Sequence, residues 1–129
     1  MRTYILAAAM VAGFGLGVVT VQGLHAQAKP PAYYVAEINP ADPEGWAKTY
    51  APLVEPTFRP FSGHYIARAG KTVAFDGGAP GRIVIVAFDS VEKAQAWRES
   101  DAYKAILPMR SKFLGNGTSR SYVIEGQAN

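Results

Sequence analysis

The sequence predicts one α+β domain whose elements follow the order β-α-β-β-α-β. Its 129 residues leave room for a single domain. Four short segments rich in β-branched and aromatic residues read as strands, and two stretches with apolar residues at helical spacing lie between the first and second and between the third and fourth. Right-handed crossovers then give a four-stranded antiparallel sheet with two helices on one face.

The composition excludes several classes of protein. Hydrophobic residues make up 49% and charged residues 18% of the chain, which argues against global disorder. There is no cysteine, so disulfide scaffolds, thiolate zinc sites and thiol nucleophiles are excluded. Thirteen basic and ten acidic residues give a formal charge of +3, and the basic residues are dispersed, which does not fit a nucleic-acid-binding surface.

The first 28 residues are typical of a secretory signal peptide. Arg2 precedes an unbroken apolar run over residues 5–19, and Ala26-Gln27-Ala28 forms an A-x-A cleavage pattern. The alternative is an uncleaved membrane anchor, because the uncharged stretch could just span a bilayer. We expect export by the general secretion route with cleavage near Ala28, which gives a periplasmic or secreted protein that is not held in a membrane.

The mature chain is expected to begin with an extended leader at residues 29–32, followed by a domain at 33–126 and a tail at 127–129. Residues 33–38 alternate as a strand, with Tyr34, Ala36 and Ile38 on one face. Asp42-Pro43-Glu44 is a strong helix start, since Asp42 can cap the helix and proline suits its first position. Three prolines, at 52, 56 and 60, predict a kink or break in the second half of this helix.

The middle of the sequence predicts two strands. The second strand spans residues 63–68, and residues 71–75 extend it past a bulge in this reading. A glycine-rich turn follows at 76–81. Residues 82–88 are apolar on both faces, so the third strand is predicted to be central in the sheet.

The last part of the chain predicts more helix and a closing strand. Ser90 can cap a helix over residues 91–99, with Ala94 and Trp97 on its inner face. Ser100 can cap a further segment that Pro108 is expected to interrupt, and a fourth strand spans 119–125. This order defines a ferredoxin-like βαββαβ sandwich, whose second sheet face has no helix to cover it. A second copy of the chain is the commonest cover, so we expect a homodimer.

Three stretches of this sequence resemble the domain of unknown function 1330 family. They are Tyr34-Val35-Ala36-Glu37 with Asp42-Pro43-Glu44, then residues 63–70, and then residues 88–97 continuing to Glu125-Gly126. The resemblance covers nearly all of residues 32–126. It implies a dimeric α+β barrel built from two ferredoxin-like chains, sheet to sheet, and implies little chemistry. The chain departs from the family pattern at Ser62-Gly63 and at Arg68-Ala69-Gly70.

The alternation of residues along the first two strands predicts a candidate site. It places Glu37, His64 and Arg68 together on the helix-free face of the sheet. A carboxylate, an imidazole and a guanidinium there can bind a polar ligand or move a proton, with Arg68 as the anion-binding centre. The alternative is a set of salt bridges and hydrogen bonds between subunits of a dimer.

Two further residues are candidates for ligand binding. Tyr103 and Arg110 are seven residues apart, which is two turns along one helix face, so they are expected to line the edge of a cleft. Arg110 has the alternatives of pairing with Glu99 or Asp101, or of capping backbone carbonyls. Trp97 is assigned to the core.

Two functions remain open at the level of sequence. The first is a non-catalytic homodimer in the bacterial cell envelope, which is either structural or binds a small molecule of unknown identity, with a small organic anion as the candidate. The alternative is a cofactor-independent enzyme, oxygenase-like or isomerase-like, acting on a small organic acid or aromatic. No cofactor is expected, and no metal either, because after export His64 is the only histidine left and no His/Asp/Glu cluster has ligand spacing.

Overall fold

The structure, a computed structural model, describes residues 29–128. The predicted signal peptide at residues 1–28, with its cleavage site, lies outside the described residues. Within 29–128, none of the helices combines the length and the apolar character that crossing a bilayer requires.

Four strands form one antiparallel sheet in the order β2-β3-β1-β4. They are β1 (Ala32–Asn39), β2 (His64–Arg68), β3 (Arg82–Phe88) and β4 (Thr118–Glu125). The apolar segment β3 lies in the interior of the sheet, as its sequence predicted. The predicted extension of the second strand is wrong, because residues 69–81 form no strand and Ala69 has a left-handed backbone (φ 50°) directly after β2.

The first helical segment begins where the sequence predicted. The Asp42 carboxylate accepts a hydrogen bond of 2.9 Å from the Gly45 N–H, which satisfies one of the free donors of the first turn. The chain then winds through four consecutive stretches: an α-turn Pro43–Gly45, a π-helical stretch Trp46–Tyr50, helix α1 (Ala51–Phe58) and a 3₁₀ turn Arg59–Phe61.

The prolines of this segment change its winding instead of breaking it. Pro52 has no N–H to donate, and the Ala51 N–H just before it bonds to the Trp46 carbonyl, five residues back. Pro56 lies within α1, and Pro60 lies in the final 3₁₀ turn. The helical path therefore continues from residue 43 to 61, and the predicted break is wrong.

The two remaining helices begin at the predicted serine caps. Helix α2 (Val91–Arg98) begins after Ser90, whose hydroxyl accepts a 3.2 Å hydrogen bond from the Lys93 N–H. Helix α3 (Asp101–Leu114) begins after Ser100, whose hydroxyl accepts a 3.2 Å hydrogen bond from the Tyr103 N–H. Helix α3 runs through Pro108 without a break, so the predicted interruption is wrong.

An aromatic cluster joins the helices to one face of the sheet. Trp97 of α2 lies at its centre, with ring centroids 4.8 to 5.9 Å from those of four other rings: Tyr34, Phe58, Phe88 and Tyr103. Most of these pairs meet edge to face, the arrangement that the charge distribution of aromatic rings favours. The indole N–H donates a 2.9 Å hydrogen bond to the buried hydroxyl of Thr57. The predicted inner face of α2, with Ala94 and Trp97, is confirmed.

We expect Thr57→Val to destabilise the domain by about 1–3 kcal/mol, because the buried indole N–H of Trp97 then has no acceptor. Urea unfolding followed by circular dichroism measures the change. Thr72→Val is the matched control, since the Thr72 hydroxyl is exposed in a loop. Equal stability of the two variants would contradict the importance of this hydrogen bond.

Candidate functional site

A β-bulge in β2 decides which face Arg68 occupies. Tyr65 pairs with Val86, but the next paired residue is Ala67, opposite Ile85, and the register shifts between them. The extra residue, Ile66, reverses the alternation of side chains beyond it. Arg68 therefore lies opposite Val84 on the helix-covered face, and Ala67 lies on the helix-free face. The predicted position of Arg68 on the helix-free face is wrong for this reason.

Glu37 and His64 lie on the helix-free face, as predicted, but without Arg68. The Glu37 carboxylate accepts hydrogen bonds from Arg120 at 3.2 and 3.3 Å and from the Tyr122 hydroxyl at 2.9 Å. Both partners belong to β4, where Arg120 pairs directly with Glu37. His64 is exposed and pairs with Ala87 in the sheet. The predicted set of three does not form, and the cation beside Glu37 is Arg120.

The hydrogen bonds from Arg120 and then from Tyr122 lower the pKa of Glu37 below its ordinary value of 4.5. A carboxyl group with a lowered pKa in the folded state stabilises the protein above the unfolded-state value, and this contribution is lost as the pH falls through the folded-state pKa. We therefore expect Glu37→Gln to lose less stability than the parent protein on acidification below about pH 4.5. Urea unfolding at a series of pH values measures this; parallel curves for parent and variant would contradict it.

A cleft between the sheet and the helices contains Arg68 together with two other arginines. We call it the arginine cleft, and define it by its three cations and the phenol rings beneath them: Arg68, Arg82, Arg110, Tyr50, Tyr65 and Tyr103. Its volume is about 40 Å³. A water molecule needs about 10–15 Å³ on this measure, so the cleft has room for a few waters or a small polar group.

Each arginine reaches the cleft from a different element. The bulge places Arg68 on the helix-covered face, where it lies exposed at the mouth of the cleft with its guanidinium 4.8 Å from the Tyr65 ring centroid. Arg82 is the first residue of β3 and pairs with Ile38, a buried residue of the helix-covered face. Arg110 comes from α3 and donates a 2.9 Å hydrogen bond to the hydroxyl of Ser119.

No acidic side chain of residues 29–128 forms an ion pair with the three arginines of the cleft. Within residues 29–128 there are four ion pairs, and none of them includes Arg68, Arg82 or Arg110. The described residues that line the cleft include no carboxylate and no imidazole. Three guanidinium groups beside an aromatic surface form an arrangement suited to an anion, because each offers a fixed fork of donors that matches a carboxylate.

Two buried tyrosines form the floor of the cleft. Tyr50 is 4% and Tyr103 1% exposed, and their hydroxyl oxygens are 3.4 Å apart. Burial raises the pKa of Tyr50 far above its ordinary value, and the nearby hydroxyl of Tyr103 raises it further, whereas the positive charge of Arg110 acts in the opposite direction. Tyr50 is therefore a neutral phenol at physiological pH and acts as a hydrogen-bonding group. Tyr103, predicted at a cleft edge, lies at the floor.

Three of the predicted ligand-binding residues, Arg68, Tyr103 and Arg110, line the same cleft, whereas Glu37 and His64 lie on the other face of the sheet. The binding role of these residues stays a prediction. Sequence reasoning missed Arg82, although it alternates with Val84 and Val86 and so shares their face. Within the described part of the chain, no group of three or more His, Asp or Glu side chains is placed to hold a metal ion.

The fold and the cleft define a class: an α+β protein of ferredoxin-like topology with an arginine-lined cleft between sheet and helices. The chain belongs to the family described as Domain of unknown function (DUF1330), whose model matches residues 31–127.

A protein whose structure has been solved in two forms shares this fold. A protein of unknown function from Rhodopseudomonas palustris is 14% identical, with a TM-score of 0.56 over 85% of this chain and 94% of its own. A methylated form of that protein gives 13% identity and a TM-score of 0.56, over 84% and 90%. A conserved protein from Methanosarcina mazei Go1 is 14% identical, with a TM-score of 0.46 over 78% and 97%. No curated protein matches the chain.

Proposed function

We propose that this protein binds a small organic anion in the arginine cleft. The observation that carries the proposal is the convergence of Arg68, Arg82 and Arg110 on one cleft without any ion pair to them within residues 29–128. Like charges repel when they are brought together, and a bound carboxylate offsets that repulsion through charge-assisted hydrogen bonds.

The size of the cleft favours a short acid. The enclosed volume of about 40 Å³ holds only a few atoms, and the cleft is open on one side, so it fits the carboxylate end of an acid whose short chain extends through the mouth. Small ligands gain at most about 1.5 kcal/mol per non-hydrogen atom, so a short carboxylate is expected to bind with a Kd between about 1 µM and 1 mM. Short aliphatic acids are therefore suitable probes of the cleft.

Titration of the purified protein with butyrate, followed by calorimetry or NMR, tests this proposal. We expect Arg68→Ala and Arg110→Ala each to weaken butyrate binding about tenfold or more, since a hydrogen bond to a charged group contributes about 1.5–3 kcal/mol. Arg59→Ala is the matched control, because Arg59 pairs with Glu55 and does not line the cleft. Binding of neutral butyramide as tightly as butyrate, or no binding of short acids at all, would overturn the proposal.

We also propose that two chains pair through the helix-free face of the sheet. Two large apolar side chains of β4 on this face are exposed, Tyr122 at 44% and Ile124 at 58%, and they continue a surface that includes Val35 and Ile85. Exposed apolar area of this kind on a small domain marks an interaction surface. Light scattering at micromolar concentration tests the pairing, and a persistent monomer would exclude it.

The pattern of residues 1–28 supports a third proposal, which is export followed by cleavage near Ala28. The intact mass of the protein recovered from the periplasm or the medium tests it. Recovery of the full-length chain alone, retained in the membrane, would favour the anchor alternative.

A further inference from the structure

The hydroxyl groups of Tyr50 and Tyr103 can form only one hydrogen bond with each other, so one of their two protons has no acceptor within the pair. Each phenol carries one O–H proton, and only one of the two protons can lie between the two oxygens. The contact itself, at 3.4 Å, is longer than the usual 2.5–3.0 Å of such bonds. Within residues 29–128 neither hydroxyl has any other hydrogen-bond partner, although both side chains are more than nine-tenths buried. At least one buried O–H proton is therefore without an acceptor.

This free donor lies in the same cleft as the three arginines. Arg110 lines the cleft together with Tyr50 and Tyr103, and its positive charge opposes the rise in the pKa of Tyr50 that burial causes. The Tyr34 hydroxyl accepts a 3.1 Å hydrogen bond from Arg98, which does not line the arginine cleft, and it keeps its own proton to donate. The pair formed by Tyr50 and Tyr103 differs, because within residues 29–128 each of these hydroxyls has only the other as a hydrogen-bond partner.

We propose that the arginine cleft selects short 2-oxo acids over the corresponding saturated acids. This inference rests on the proposed binding of a small organic anion. The carboxylate lies among the arginines, and the adjacent oxo oxygen accepts the free O–H proton of the Tyr50–Tyr103 pair. A neutral carbonyl suits this position, since a buried neutral phenol donates to it without creating a buried charge. A saturated acid leaves the donor unpaired, which is the condition under which a buried polar group discriminates between ligands.

The test compares 2-oxobutyrate with butyrate, which differ only in the oxo group. We expect the parent protein to bind 2-oxobutyrate about tenfold more tightly, which corresponds to the loss of about one neutral hydrogen bond. Tyr50→Phe and Tyr103→Phe are measured separately and together, because either oxygen can be the donor. The double variant is expected to bind the two acids with equal affinity, because neither hydroxyl remains to distinguish them. Tyr122→Phe is the matched control, since it removes a phenol hydroxyl on the opposite face of the sheet.

The outcomes separate the inference from the proposal on which it rests. Urea unfolding followed by circular dichroism shows whether the phenylalanine variants are folded, independently of their ligand binding. Equal affinity of the parent for both acids, or a preference that survives in the double variant, would overturn the selectivity while leaving anion binding intact. Failure of both acids to bind the parent protein would overturn the anion-binding proposal and the selectivity together.

Discussion

Trp97→Ala is expected to destabilise the domain by about 3–5 kcal/mol, the range for deleting a large buried aromatic side chain. The indole is almost fully buried and contacts four other rings, so its removal takes away packing from the sheet, from α1 and from α3 together. Domains of this size have a free energy of unfolding of about 5–15 kcal/mol, so the variant is expected to lose a large part of it.

Urea unfolding followed by circular dichroism measures the effect of Trp97→Ala. The matched control is Phe75→Ala, which deletes an aromatic ring that is 93% exposed in the loop between β2 and β3. The control is expected to change stability by no more than about 0.5 kcal/mol, as is usual for surface positions. A loss in Trp97→Ala no greater than in Phe75→Ala would show that the aromatic cluster does not hold the helices on the sheet.

Ile85→Asp is expected to weaken the proposed dimer about a hundredfold or more. Ile85 lies at the middle of the helix-free face, between Val35 of β1 and Ala67 of β2. A carboxylate there would lose its water when two such faces meet, at an effective cost of several kcal/mol for each ion. The monomer is expected to survive, because the side chain of Ile85 is only partly buried in a single chain.

Sedimentation or light scattering over a range of concentrations measures this change. Ala96→Asp is the matched control, since it adds the same charge at an exposed position of α2, on the helix-covered side. We expect the control to keep the oligomeric state of the parent. A dimer that persists in Ile85→Asp would show that the two chains meet through another surface.

The sequence determined most of the secondary structure because the relevant signals are local. Capping depends on residues a few positions apart, so Asp42, Ser90 and Ser100 correctly mark where the three helical segments begin. The apolar residues on both faces of β3 predicted an interior strand, and β3 lies between β2 and β1 in the sheet. The proline-rich first helix was harder to predict. Prolines lack a backbone N–H, and the chain accommodates them by a π-helical stretch in which an N–H bonds to the carbonyl five residues back.

The composition of the site was decided by the tertiary structure. The alternation rule holds along a regular strand, but the single extra residue at Ile66 reverses it, and this bulge exists only in the pairing of β2 with β3. For that reason Arg68 lies with Arg82 and Arg110 on the helix-covered face. The carboxylate of Glu37 instead accepts hydrogen bonds from Arg120 of the neighbouring strand β4. Residue types alone predicted an anion site centred on Arg68. Which side chains lie beside Arg68 depended on the register of the strands, and this register is set by contacts between residues far apart in the chain.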